Sequence, residues 1–177
     1  VRVVSNGVLD LRWSDTTTGG IADTARPISG DFMREYRIDV TELTGSGLTS
    51  RDLQFAVINE NVARCPYGVI GDTYEGAWIV LQMDGTFGSG GENVLFFTLS
   101  DGTPTACGSE AIDVGEPTSL RISRTGNSWT GSYRARGDWT DVGTCTQTAS
   151  GNTFAYLYGD DITGASGTAR VSVTIDP

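Results

Sequence analysis

The sequence predicts an all-β domain, an antiparallel sandwich of two sheets with about a dozen strands and little or no helix. Three observations lead there. Short runs of alternating apolar and polar residues recur along the 177 residues, which is the period of a half-buried strand. Turn-forming residues, among 24 Gly in all, fall between nearly all of those runs. No window of a dozen residues keeps the apolar stripe of an amphipathic helix. The length is that of a single domain, 1–177, and a chain of about 150 residues buries roughly 70% of its unfolded surface, enough for a core without metal or disulfide support.

The elements follow in order. Residues 7–13 alternate through Val8, Leu9 and Leu11, a polar loop is expected over 14–24, and Arg26, Pro27 and Ile28 lead into a strand over 31–41. There Phe32, Tyr36, Ile38 and Val40 form an inward face, and the Pro marks a strand entry or an edge. Strands are expected over 53–59, 69–70, Gly76–Met83, 94–100 and 111–114. A hairpin comes next: Leu120 and Ile122 face one side, Arg121 and Ser123 the other, and Trp129, Gly131 and Tyr133 resume the pattern after a turn at Thr125, Gly126 and Asn127. Runs at 140–146, 152–158 and 169–175 complete the set, with no internal repeat and no linker.

Composition removes whole classes of chemistry. All 12 basic residues are Arg, so there is no Lys for a Schiff base and no His for an imidazole base, a nucleophile pair or a metal site. A net charge of -10 repels nucleic acid and anionic lipid. No apolar run approaches the ~20 residues of a membrane span. The chain opens at Val1 inside a strand-like run, as a processed or excised module would. Cys65, Cys107 and Cys145 lack metal or redox spacing, which leaves one disulfide and one free thiol. Three pairings are open, with Cys107 to Cys145 favoured because both flank the hairpin.

The order of several segments carries a family resemblance. Arg26-Pro27-Ile28-Ser29-Gly30-Asp31-Phe32 enters a strand, Glu75-Gly76-Ala77-Trp78-Ile79-Val80-Leu81 lies centrally, and Leu120 to Asn127 leads to Trp129 and Tyr133. Gly137-Asp138-Trp139-Thr140-Asp141-Val142-Gly143, Tyr156-Leu157-Tyr158-Gly159 and a last strand over 169–175 follow. This resembles the concanavalin A-like lectin and glucanase superfamily, in particular its laminin-G-like and β-xylosidase C-terminal-like jelly-roll modules. The resemblance implies two curved antiparallel sheets with the terminal strands close together, and a secreted carbohydrate-binding or adhesive module. It also implies that Trp139 packs inward. The family's glucanase branch carries a Glu-x-Asp-x-x-Glu strand that this chain lacks, and its alginate lyase-like branch needs His and Lys that are absent here.

Family members often hold one structural calcium, and the carboxylates that would do so here are Asp31, Asp160, Asp161 and Asp176, gathered by pairing of the terminal strands. Asp138 and Asp141, beside Trp139, read as turn builders. A sugar site needs a flat apolar face and planar polar groups. Trp78, Arg121 and Arg134 supply them on strands, and Tyr67 and Tyr74 on a Gly-rich loop rim. Trp78, Trp129 and Tyr133 read as packing residues first, and the Arg residues as a solvated sheet face paired to Asp. The expected function is an extracellular or cell-surface, non-catalytic carbohydrate-binding module with a polysaccharide or glycan partner. Behind it stand a structural or adhesive surface or fibre protein that associates with itself or another protein, and then a glycoside hydrolase.

Overall fold

The computed structural model describes residues 2–4, 8–14, 19–22, 27–46, 51–59, 75–83, 92–101, 103–112, 119–135, 137–148, 153–161 and 166–176. Among them are thirteen strands: β1 (Arg2–Val4), β2 (Val8–Ser14), β3 (Gly19–Ala22), β4 (Phe32–Ser46), β5 (Arg51–Ile58), β6 (Gly76–Met83), β7 (Glu92–Ser100), β8 (Thr103–Ile112), β9 (Ser119–Thr125), β10 (Ser128–Arg134), β11 (Trp139–Thr146), β12 (Phe154–Asp161) and β13 (Ser166–Asp176). They form a seven-stranded sheet in the order β1-β2-β13-β4-β9-β10-β11 and a six-stranded sheet in the order β3-β12-β5-β6-β7-β8. Neighbours in both sheets run antiparallel. The last strand lies between β2 and β4, so both ends of the chain feed one sheet. The described residues include no helix long and apolar enough to cross a membrane.

Strand alternation builds the core. Tyr36, Ile38, Leu120, Ile122 and Trp129 project from the seven-stranded sheet onto Leu53, Phe55, Ile79, Leu81 and Phe96 of the other. Tyr36 meets Phe55 with ring centroids 4.3 Å apart, and Phe32 meets Trp129 edge-on at 5.6 Å. Each such side chain, fully buried, contributes about 1.5–3 kcal/mol. Gly131 takes an inward position in β10, where an added Cβ would lie 2.3 Å from the Phe96 ring, so the missing side chain is the space that Phe96 fills. The Trp129 indole N–H reaches the Gln147 carbonyl at 3.0 Å, and the Gln147 amide in turn donates to the Leu99 carbonyl. Buried polar groups of both sheets are thereby satisfied together.

The β9–β10 hairpin closes through two residues. Gly126, the first, has φ 58°, the conformation a II′ turn demands there. Its N–H is capped by the Asp31 carboxylate at 2.7 Å, from 95 residues earlier. On the same side of the sandwich, the edge strands β8 and β11 touch and are joined by the Cys107–Cys145 disulfide, Cα–Cα 5.5 Å. They touch backbone to backbone: a Cβ on Gly108 would lie 2.0 Å from the Val142 carbonyl oxygen, and one on Gly143 would lie 2.3 Å from that of Cys107. An open pair of edges is closed by two glycines and a covalent bond.

Two expectations change, and a third is not reached. The loop expected over 14–24 contains β3, whose Gly-Gly-Ile-Ala sequence carries no alternating pattern and which pairs with β12 through Ala22 and Tyr156. The strand expected at 111–114 is the tail of a ten-residue strand, β8, whose Thr, Pro, Ala and Gly carry no apolar pattern. Residues 113–114 and the strand expected at 69–70 lie outside the described residues.

Candidate functional site

With Leu120 and Ile122 buried in the core, Arg121 must project from the outer face of the seven-stranded sheet. Register does the rest. Arg121 stands opposite Glu35 of β4 and Ser132 of β10, Ser132 opposite Asp141 of β11, and Arg134 opposite Ser119 and Trp139. Four adjacent strands, β4, β9, β10 and β11, thus present one polar face carrying a single indole.

The Trp139 ring lies within 4.1 Å of the Arg121 guanidinium carbon and 5.0 Å of that of Arg134, both within cation–π range. Arg134 donates to Glu35 at 2.9 Å and to Ser119 at 3.4 Å. Arg37 approaches the same Glu35 oxygen at 4.0 Å. Ser132, with no exposed surface, donates to Asp141 at 2.7 Å and accepts from Arg121 Nη2 at 3.3 Å. Asp141 therefore fixes Ser132, and Ser132 fixes one end of Arg121. The neighbouring donor differs: Arg121 Nε is closed off from solvent and has no hydrogen-bond partner. Among the described residues no carboxylate pairs with Arg121.

The structure places the expected sugar-binding residues on two faces. Arg121 and Arg134 come together as expected, but Trp78 does not join them. Ala77 and Ile79 point into the core, so Trp78 lies on the outer face of the six-stranded sheet, the far side of the sandwich. There it packs with Ala56, Ile58, Val80 and Leu99 and meets the tilted ring of Phe97 at 5.3 Å, leaving only 9% of its surface exposed. Tyr67 and Tyr74 lie outside the described residues. Trp139, expected to pack inward, instead faces outward. β11 begins at Trp139 itself, and pairing of Trp139 with Arg134 sets its ring on the arginine face. A strand that begins at Thr140 leaves Trp139 in the turn, whereas a strand that begins at Trp139 puts it two residues before Asp141 and on the same face.

Of the four carboxylates expected to hold calcium, the side chain of Asp31 is described and those of Asp160, Asp161 and Asp176 lie outside the described residues, while the backbone sets them at separate places. Asp31 is committed to the Gly126 amide, at the end of the sandwich where Ile28 bridges Thr153. Asp160 and Asp161 close β12 at its opposite end, roughly 20 Å away at about 3.3 Å per strand residue. Asp176 pairs in register with Glu35, four residues along β4 from Asp31. Among the described residues no three His, Cys, Asp or Glu side chains form a group that could hold a metal.

The fold is that of concanavalin A-like lectins. A legume lectin-like domain from Entamoeba histolytica superposes with TM-score 0.68 at 9% identity, over 98% of this chain and 85% of that one. The exoplasmic/lumenal domain of VIP36, solved bound to Ca2+ and Man3GlcNAc, gives 0.63 at 13% identity, over 97% and 79%. A protein of unknown function from Saccharomyces cerevisiae gives 0.56 at 12%, over 98% and 89%. No family model matches the chain, and a search of curated proteins finds no match to its sequence.

Proposed function

We propose that this domain binds carbohydrate in an extracellular or cell-surface setting, without cleaving it, and that the sugar docks on the outer face of β9, β10 and β11. The observation that carries this is the half-buried Trp139 indole flanked by Arg121 and Arg134. A pyranose ring offers an apolar C–H face to an indole, and its neighbouring hydroxyls suit planar guanidinium and carboxylate groups. The outer face of the other sheet is less available, since Trp78, Val80, Ala56 and Leu99 are all buried. The likeness to VIP36, whose lumenal domain was solved with a mannose-containing glycan, supports the same function.

Calcium accompanies the glycan in that structure. Here the contacts proposed come from side chains of the sheet, so binding is to be measured both in calcium and in chelator. The test is a glycan array followed by titration calorimetry on the strongest ligand. Binding that is lost in Trp139→Ala while the variant stays folded supports the assignment; an array without any binder overturns it.

A further inference from the structure

Resting on the carbohydrate-binding function proposed above, we infer that the preferred ligand carries a carboxylate, as a uronic acid residue does, and that Arg121 is the group that receives it. Among the described residues Arg34, Arg121 and Arg124 all lack a carboxylate partner, and Arg121 differs from the other two in holding a buried N–H, at Nε, without any hydrogen-bond partner. Arg134 and Arg37 both approach Glu35. Arg121, on β9 between the strands that carry Arg37 and Arg134, makes its one hydrogen bond among the described residues to a neutral hydroxyl, Ser132 Oγ.

A half-buried cation with a buried, unpaired N–H is costly, because the group has given up water and gained no acceptor. The surroundings keep the group in place all the same: Ser132 is held by Asp141, and the Trp139 ring covers the guanidinium at 4.1 Å. The Nε–H lies on the same edge of the guanidinium as the Nη2 that holds Ser132, and a carboxylate oxygen would supply the acceptor it lacks as a charge-assisted hydrogen bond. Trp139 belongs to β11, an edge strand with a partner on one side alone in its sheet. The indole and the guanidinium lie side by side, so one ligand can meet the first with its sugar ring and the second with its carboxylate. A neutral sugar would gain the stacking and leave the guanidinium unpaired; an acidic one satisfies both.

The experiment compares trigalacturonic acid with its methyl ester, which keeps the sugar skeleton and removes the charge, by titration calorimetry on the intact chain. The acid should bind at least about tenfold more tightly, the factor expected when a charge-assisted hydrogen bond is gained, and should weaken as salt is raised. In Arg121→Gln the ratio between acid and ester should collapse toward one, and Arg121→Lys should restore part of it. Circular dichroism and the urea midpoint of each variant confirm that it is folded. Equal binding of acid and ester at this face, or a preference that survives Arg121→Gln, overturns the inference while leaving carbohydrate binding standing. Failure of the chain to bind any glycan of either kind removes the underlying function as well.

Discussion

Cutting the Cys107–Cys145 bond should cost the domain a measurable and calculable part of its stability. The two cysteines are 38 residues apart, and closing a loop of that length removes about 13 cal/mol/K from the unfolded chain, or about 4 kcal/mol at 25 °C. In a domain of this size each kcal/mol moves the midpoint by about 2–4 °C, so the thermal transition should fall by roughly 8–16 °C. Cys107→Ala/Cys145→Ala, compared with the parent by urea unfolding followed through Trp fluorescence, measures the loss directly. The local geometry argues for the upper part of the range, since β8 and β11 meet there backbone to backbone at Gly108 and Gly143, and the disulfide is the covalent link between them. A double variant within about 1 kcal/mol of the parent, against the 4 kcal/mol expected from loop closure, would refute the idea that this bond closes the sandwich edge.

Other substitutions probe the same framework. Gly143→Ala places a Cβ against the Cys107 carbonyl, in strands that cannot part, and should destabilise by about 1–3 kcal/mol in urea unfolding. Gly131→Ala drives a methyl into the Phe96 ring and should cost a similar ~1–3 kcal/mol, partly recovered when Phe96 is shortened to Leu. Asp31→Ala removes the cap on the Gly126 amide and should cost about 1 kcal/mol, equally with and without added calcium, since that carboxylate serves the hairpin.

The sandwich was legible where side chains alternate. Leu120 and Ile122 against Arg121 and Ser123 read correctly because a strand with one buried face must place its apolar residues two apart. β8 was illegible for the opposite reason: it is an edge strand whose exposed Thr103, Pro104 and Thr105 and close-packed Gly108 leave no pattern. Its one clear signal was Asp101, at φ 48° before Gly102, a dipeptide favoured in two-residue hairpin turns. The candidate site was half legible. Alternation puts Arg121 and Arg134 outside, but only the register of β11 brings Trp139 onto them and only the sheet order separates them from Trp78. Register and sheet order depend on pairings between distant segments, which local periodicity does not encode.

The most direct test is to map the bound sugar by NMR, following backbone amides and the indole N–H signals as a glycan identified on the array is titrated in. Shifts should centre on the Trp139 indole and on the amides of Arg121, Ser132, Arg134 and Asp141, with the Trp78 indole unmoved. Shifts centred on Trp78 and Phe97, with Trp139 silent, would place the ligand on the opposite sheet and contradict the account.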